Sequence, residues 1–224
     1  MFNFAAEFIQ NNNLLINGTL ETLYMVAVSL FFGILGGLPL GVLTTVTRAE
    51  HILPNKKINF ILNSIINLGR SVPFIILMVT IIPITRFIVG SSIGTNAAIV
   101  PLSLAAIPFL GRVIDNAILE IDQGVIESAQ SMGANPLQII FKVLIAEALP
   151  AIILGLTLTA ISLVNYSAMG GAVGAGGLGD IAIRYGYHRF QIIILLKTIV
   201  ILVILVQLIQ FIGNQIADFF DHRA

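Results

Sequence analysis

The residues that most often carry chemistry are few in this sequence and stand far apart. The absence of cysteine excludes a disulfide framework, a thiolate metal site and a thiol nucleophile. The three histidines include no pair four residues apart on a helix, as a metal site would need: His51, His188 and His222. Three carboxylates cluster on a predicted inner loop, where we interpret them as solvated: Asp115, Glu120 and Asp122. With no Gly-x-Ser-x-Gly elbow and no P-loop lysine either, the chain is predicted not to be an enzyme.

A glycine-rich stretch at residues 170–179 has the composition of a phosphate-binding loop. It contains Gly174-x-Gly176-x-x-Gly179, which matches the dinucleotide fingerprint as a string. That fingerprint works only between a strand and a helix of a βαβ unit, and here a long apolar segment precedes it. We therefore reject a nucleotide cofactor and expect the glycines to allow close backbone packing or a re-entrant turn.

The composition indicates which kind of element must position these residues. Hydrophobic residues make up 57% of the 224-residue chain, charged residues only 10%, and the mean hydropathy is +1.00. A soluble domain carries roughly 25% charged residues, so the chain is predicted to be an integral membrane protein. Lys+Arg and Asp+Glu each number 11, which leaves no basic footprint for nucleic acid.

Five apolar segments with few charges are long enough to be spans. They cover about residues 22–47, 58–85, 96–111, 144–166 and 190–216. Because a backbone in lipid must satisfy its own hydrogen bonds, segments of this length are expected to be helices. The predicted fold class is therefore all-α, a polytopic membrane protein with about five transmembrane helices.

Basic residues predict the orientation of these spans. With the N-terminus outside, the inner segments hold six of them: Arg48, Lys56, Lys57, Arg112, Lys142 and Arg223. The outer segments hold three: Arg86, Arg184 and Arg189. The positive-inside rule then favours N-out/C-in.

We expect a short external segment at residues 1–18, one transmembrane domain at 19–216 and a cytoplasmic tail at 217–224. Four apolar residues predict that the external segment lies on the membrane surface: Phe2, Phe4, Phe8 and Ile9.

Small and polar residues mark one face of each of the first two spans. The first span carries glycine at every fourth position, a pattern typical of close helix packing: Gly33, Gly37 and Gly41. The second carries amides at the same spacing: Asn59, Asn63 and Asn67. Because lipid would leave these amides unsatisfied, that face is expected to contact protein or a wet cavity.

Two basic residues interrupt predicted spans, Arg70 in the second and Lys197 in the fifth. A charge at the bilayer centre costs on the order of 3 kcal/mol, so each is expected to line a pathway, pair internally or reach an interface. The second span is also longer than a bilayer core needs, so it either tilts or partly protrudes. Pro73 predicts a bend just after Arg70.

The long loop at about residues 120–142 has its own pattern. Val125–Met132 is predicted to form a short helix that Gly133 ends and Pro136 prevents from continuing. A new helix is predicted from Leu137 to Leu144. A short helix held across one face of a membrane protein is suited to dock into a partner, and the same pattern is typical of an amphipathic helix on the membrane surface.

The same loop resembles the EAA loop of ABC importer permeases. The resemblance is carried by Glu127-Ser128-Ala129, by Gly133 six residues after the glutamate, by Pro136 and by the ending Leu149-Pro150. The sequence departs from the family pattern at Ser128, where alanine is usual, and at Ala146, where a proline often stands. Two further stretches are similar to the permease subunit of methionine ABC importers: Arg70-Ser-Val-Pro73-Phe, and residues 167–180 together with Arg184-Tyr-Gly-Tyr187.

This resemblance implies a homodimer in the bacterial inner membrane with two cytoplasmic ABC ATPase subunits and an external methionine-binding lipoprotein. ATP and Mg²⁺ would be bound by the ATPases, and this chain would hold no cofactor. Residues 124–137 would be the coupling helix, with Glu127, Ser128, Ala129, Gly133, Ala134 and Pro136 in contact with the ATPase. The candidates for the pathway or gate are Met169, Arg70, Asn67 and Tyr166.

Other functions stay open at this point. The same machinery would serve another amino acid, an osmolyte, a phosphonate or a metal, because selectivity in this family rests largely with the binding protein. A secondary transporter or channel would often show internal repeats, and the sequence shows none. A membrane enzyme would need paired carboxylates or a nucleophile–base pair within the spans, which are not found.

Overall fold

The computed structural model describes residues 2–221, with side chains from residue 12 onward, and its regular structure over that range is helical throughout. In chain order the helices are α1 (Phe2–Val46), α2 (Lys56–Ser71), α3 (Phe74–Thr80), α4 (Ile82–Val89), α5 (Thr95–Leu119), α6 (Gln123–Ser131), α7 (Pro136–Gln138), α8 (Ile145–Glu147), α9 (Leu149–Gly171), α10 (Gly177–Ile181) and α11 (Ile192–Phe220). Two stretches are π-helical: Ile139–Leu144 and Ala182–Tyr187.

In the part of the chain that the structure describes, four helices are long and apolar enough to cross a membrane, namely α1, α5, α9 and α11. The bent pair of α2 and α3 brings the number of candidate spans to five if the pair counts as one. The predicted all-α membrane fold with about five spans is therefore confirmed. The N-out/C-in orientation stays a prediction, because it depends on which side of the membrane each loop occupies.

Several helix boundaries differ from the predicted spans. The third span, predicted at 96–111, extends to Leu119, because α5 continues past Arg112, and it contains Pro101 and Pro108 as predicted. Proline is tolerated within membrane helices because neighbouring helices and local adjustments satisfy the freed backbone groups. The fourth predicted span, 144–166, corresponds to α9, which begins later, at Leu149. The fifth, 190–216, corresponds to α11, which ends later, at Phe220. Residues 12–18, predicted to belong to a separate external segment, continue α1 without a break. The prediction that Phe2, Phe4, Phe8 and Ile9 lie on the membrane surface concerns side chains outside the described ones.

The predicted second span is broken into separate helices. Helix α2 ends at Ser71, and Pro73, which has no backbone N–H to donate, stands at the N-cap of α3 with φ −56° and ψ 133°. A further helix, α4, ends at Gly90, whose φ of +80° is readily adopted only by glycine. The bend predicted just after Arg70 is confirmed.

By internal contacts the chain divides into two units, and the division cuts each of the four long helices. The first unit comprises the chain through Phe31, Val72–Ser103 and Ala160–Ile209. Its apolar cluster is formed by Leu15, Leu178, Ile181 and Ile194. The second unit comprises Phe32–Ser71, Leu104–Thr159 and the chain from Gln210. Its apolar cluster is larger and includes residues of α1, α5, α6 and the π-helical stretch Ile139–Leu144. Among its members are Val46, Ile114, Ile118, Ala129 and Leu144.

The glycine face of α1 packs against α5 within the second unit. This face consists of Gly33, Gly37 and Gly41. A Cβ at Gly37 would lie 2.9 Å from the carbonyl oxygen of Ile107, and one at Gly41 would lie 2.6 Å from that of Gly111. Any larger residue would force the helices apart, so the approach of the two backbones depends on the missing Cβ atoms.

Candidate functional site

The loop singled out by the sequence forms a short helix with well-defined ends. Helix α6 begins after Asp122, whose Oδ1 accepts a hydrogen bond from the Gly124 N–H at 2.6 Å. Its predicted bounds, Val125–Met132, are shifted by one or two residues in the structure. The helix is followed by Gly133 at φ +79°, where the Gly133 N–H donates to the Gln130 carbonyl at 2.9 Å. The left-handed conformation turns the chain out of the helix, as predicted.

The segment after Gly133 is held by a reciprocal cap. Asn135 Oδ1 accepts from the Gln138 N–H, and Gln138 Oε1 accepts from the Asn135 N–H, both at 2.9 Å. Pro136 occupies the first helical position, where its missing N–H costs no bond. The predicted helix from Leu137 to Leu144 is present but is π-helical from Ile139 to Leu144. The turn and both helix ends are therefore specified by residues of the segment itself.

The predicted coupling residues divide into an exposed set and an anchor. Glu127, Ser128, Gly133 and Pro136 are exposed, Ala134 is half-buried, and Ala129 is 4% exposed. Ala129 belongs to the apolar cluster of the second unit, with Ile114 and Ile118 of α5. The helix is thus attached through a small buried side chain and presents its polar side outward.

A cavity of about 220 Å³ lies beside α6 within the second unit. It is lined by Glu50, His51, Ile118, Ile126, Glu127 and Gln130, among others. Partial burial, and next the nearby Arg48 guanidinium, lower the pKa of His51. The neutral ring is also used structurally, because His51 Nδ1 accepts a hydrogen bond from the Ile52 N–H at 3.0 Å.

Asp115 is the centre of a buried charge cluster, which corrects its interpretation as a solvated loop residue. It lies within α5 and its side chain is 0% exposed. One carboxylate oxygen accepts from Thr45 Oγ1 at 2.8 Å, and the other lies 2.9 Å from Arg48 Nη2 and 2.8 Å from Arg112 Nη1. The interpretation was wrong because the third span was ended too early. Arg112 and Asp115, three residues apart at the end of an apolar segment, were the signal for this pair.

The amide row of α2 contacts the same cluster. Arg112 Nη2 donates to Asn67 Oδ1 at 2.8 Å and to Asn63 Oδ1 at 3.2 Å. Asn59 Nδ2 donates to the Thr44 carbonyl at 2.6 Å. The expectation that this face contacts protein is confirmed for these three amides. Asn67, predicted for the pathway, also positions an arginine of α5.

The glycine-rich stretch of the first unit forms a tight turn that leads into α10. Gly174, Gly176 and Gly177 have φ of +83°, +83° and +73°. The carboxylate of Glu21 accepts from the Gly177 N–H at 2.7 Å, and Thr22 Oγ1 accepts from the Leu178 N–H at 2.9 Å. Both contacts cap the start of α10 and were missed by sequence reasoning. A carboxylate followed by a hydroxyl at the start of the predicted first span was the available signal.

The remaining predicted residues lie in different surroundings. In the first unit, Tyr166 stacks on Phe74 with ring centroids 4.7 Å apart, and Met169 is 44% exposed. In the second unit, Arg70 is exposed in the last turn of α2. Among the described side chains, those of residues 12–221, there is no group of three or more His, Cys, Asp or Glu residues that would hold a metal ion.

Comparison with known proteins identifies the family. The family described as "Binding-protein-dependent transport system inner membrane component" matches residues 37–224. The chain belongs to this family. The probable D-methionine transport system permease protein MetI of Vibrio cholerae is 54% identical over 223 residues, which are 99% of either chain. The D-methionine transport system permease protein MetI of Escherichia coli is 54% identical over 158 residues, 70% of this chain and 73% of that relative.

Solved structures agree with this assignment to the inner-membrane components of binding-protein-dependent transport. An inward-facing structure of the MetNI methionine ABC transporter matches with a TM-score of 0.92 at 53% identity, over 93% of this chain and 97% of that one. An amino acid ABC transporter matches with a TM-score of 0.73 at 19% identity, over 98% of either chain, which is a likeness of fold. The resemblance predicted from the loop is therefore confirmed.

Proposed function

We propose that this chain is the permease subunit of an ATP-driven methionine importer of the ABC class, located in the bacterial inner membrane. The observation that carries the proposal is the likeness to the MetNI methionine transporter at 53% identity and a TM-score of 0.92. Because the names of the relatives specify D-methionine, the D enantiomer is included in the proposed cargo. The permease works as a homodimer with two cytoplasmic ATPase subunits and an external binding lipoprotein.

In the proposed mechanism the chain is moved by its partners and catalyses no step itself. ATP and Mg²⁺ bind to the ATPases, and the polar side of α6, with Glu127 and Ser128, lodges in a cleft of one of them. Closure of the ATPases draws the two copies of α6 together and favours the outward-open state, and hydrolysis resets it. The nucleotide thus biases a two-state equilibrium from a distance, through its different affinity for the two states.

Each unit is proposed to contribute its own candidate residues for contact with the substrate. Met169 and Tyr166 supply an apolar surface that suits a thioether side chain. Asn67 and Arg70 supply polar groups that can meet the ammonium or carboxylate of an amino acid. Selectivity between related cargoes then rests largely on the binding protein that delivers them.

Reconstitution tests the cargo. The chain is placed in proteoliposomes with its ATPase and binding protein, and ATP hydrolysis and uptake are measured with L-methionine, D-methionine and a polar amino acid. We expect both activities to rise with methionine of at least one configuration and not with the polar amino acid. Stimulation by another solute alone would keep the machinery and overturn the substrate. Ion flux without any ATPase would favour a channel.

Substitutions in α6 and at Gly133, just after this helix, test the coupling role. Gly133→Pro is incompatible with φ +79°, and Glu127→Lys reverses an exposed charge, so both are expected to leave hydrolysis running while uptake falls at least about tenfold. Gly90→Pro, at a similar φ of +80° in the first unit, and Glu120→Lys, on the turn before α6, are the matched controls. Normal uptake by both α6 variants, with normal assembly, would contradict the coupling role.

A further inference from the structure

A continuous chain of polar contacts joins three helices of the second unit. It begins at Thr45 of α1 and at Arg48, two residues after the end of that helix. It then passes through Asp115 and Arg112 of α5 and ends on α2 at Asn63 and Asn67. This series of contacts is buried at Thr45, which is 0% exposed, and at the Asp115 side chain, also 0% exposed, and the Arg112 side chain is 19% exposed. Charge-assisted hydrogen bonds of this kind are short and directional, so the positions of the groups are closely coupled.

Arg112 links α5 to α2 with a single side chain. Its Nη1 lies 2.8 Å from Asp115 Oδ2, and its Nη2 lies 2.8 Å from Asn67 Oδ1. The planar guanidinium fixes the angle between these two contacts, which the point charge of a lysine does not. The geometry therefore makes the place of α2 depend on an arginine that the buried Asp115 carboxylate orients.

Helix α2 has little apolar attachment. Its single buried side chain is Ile66, whereas other apolar side chains are largely exposed, such as Phe60 at 73% and Leu68 at 70%. Gly69 adds a close approach, because a Cβ there would lie 2.7 Å from Pro108 Cγ. With one buried side chain, the helix is positioned in this unit mainly by its amide row and by the glycine contact.

Helix α6 packs against the ends of α1 and α5 that also hold the charge cluster of Asp115. Ala129 of α6 packs in one apolar cluster with Val46 of α1 and with Ile114 and Ile118 of α5, on either side of Asp115 in sequence. Because closely packed side chains transmit displacement with little compression, a shift of α6 is passed to the helix ends that hold the charge cluster.

From this arrangement we propose that Arg112, oriented by Asp115, is a positioning residue that transmits movement of α6 to α2. This inference rests on the proposed function, in which α6 is the coupling helix and Asn67 and Arg70 of α2 line the substrate path. Displacement enters at Ala129, passes through the cluster of α1 and α5, and reaches α2 through the two contacts of Arg112. Severing those contacts leaves the ATPase able to move α6 while α2 no longer follows.

The test severs the link to α2 and leaves the buried ion pair intact. The double variant Asn63→Leu/Asn67→Leu removes both acceptors of Arg112 on α2, and Asn214→Leu, which removes an exposed amide of α11, is the matched control. The complex is reconstituted with ATPase and binding protein, and the ATP hydrolysed per methionine imported is measured. We expect this ratio to rise about tenfold in the double variant, within the usual range of coupling between sites, and to stay unchanged in the control.

A second variant separates transmission from folding. Arg112→Lys keeps the charge beside Asp115 and loses the fixed fork, so it is expected to assemble normally and to raise the same ratio, with Lys142→Arg, exposed at the end of the loop, as the conservative control. If the double variant does not assemble, the Arg112→Lys ratio decides. An unchanged ratio, or an equal loss of hydrolysis and uptake, would overturn the inference. Absence of methionine transport by the wild-type complex would instead overturn the proposed function.

Discussion

Two regions of the molecule hold polar groups away from water, one in each unit, and they do so by different means. In the second unit the Asp115 carboxylate is surrounded by side chains, two guanidinium groups and a hydroxyl. In the first unit the buried groups are backbone N–H groups of the glycine-rich turn, and those of Gly177 and Leu178 donate to the carboxylate of Glu21, an exposed residue, and to the Thr22 hydroxyl. The first arrangement depends on charge, and the second depends on the absence of Cβ atoms.

The comparison teaches which substitution each region tolerates. A charge cluster is disrupted by losing one partner, because the remaining groups, which are only partly exposed to water, keep an uncompensated charge. A glycine turn contains no charge of its own and is disrupted by added atoms, because its backbone lies against neighbouring groups. Removing a charged partner therefore tests the charge cluster, and adding a Cβ atom tests the glycine turn.

The largest effect is expected from Asp115→Ala. Two arginines would lose their buried partner, which costs about 3–5 kcal/mol in comparable buried pairs. The control Asp180→Ala breaks an ion pair to Arg184, whose side chain is 57% exposed, and exposed pairs contribute about 0–1 kcal/mol. The unfolding midpoint of the purified permease in detergent measures both. Similar shifts for the two variants would show that burial of the cluster does not determine its stability.

A smaller effect is expected from Gly177→Ala. The new Cβ would meet Thr22 Oγ1 at 2.7 Å and Met25 Cε at 2.8 Å, in addition to the strain of φ +73°. Gly90→Ala has the same strain at φ +80° and nothing within 4 Å of the new Cβ. Strain alone costs about 1–2 kcal/mol, and we expect overpacking to add about 1–3 kcal/mol at Gly177. Thermal unfolding of the two variants checks the difference, and equal destabilisation would exclude a packing role for the turn.

The smallest effect concerns the edge of the charge cluster, at His51. Its pKa is lowered in the folded protein from 6.5, so the unfolded state binds more protons as the pH falls below about 6.5. Stability is therefore expected to be full above this pH and to decline as the pH is lowered through it. His51→Gln should weaken this decline. Unfolding midpoints of the wild type and of this variant between pH 7.5 and 5.5 test this, and an identical pH dependence of the two proteins would contradict it.

The parts of the fold that were predictable are those that depend on neighbouring residues. The end of α6 at Gly133 and the break at Pro73 follow from the backbone preferences of single residues. The spans follow from the length of apolar segments, and an error arose where the third span was ended before the charged Arg112, although α5 continues to Leu119. The Asn row of α2 was recognised as a polar face by its spacing, but spacing could not identify its partner.

The sequence by itself determined that the chain is an all-helical membrane protein with a short helix between two stops, because hydropathy and local backbone preference act over a few residues. The tertiary structure alone decided that Asp115 is buried between two arginines and that Glu21 caps α10. Arg48 and Asp115 are 67 residues apart, and Glu21 and Gly177 are 156 apart. Only the packing of whole helices brings such groups within hydrogen-bonding distance, and no property of either residue's neighbours encodes that pairing.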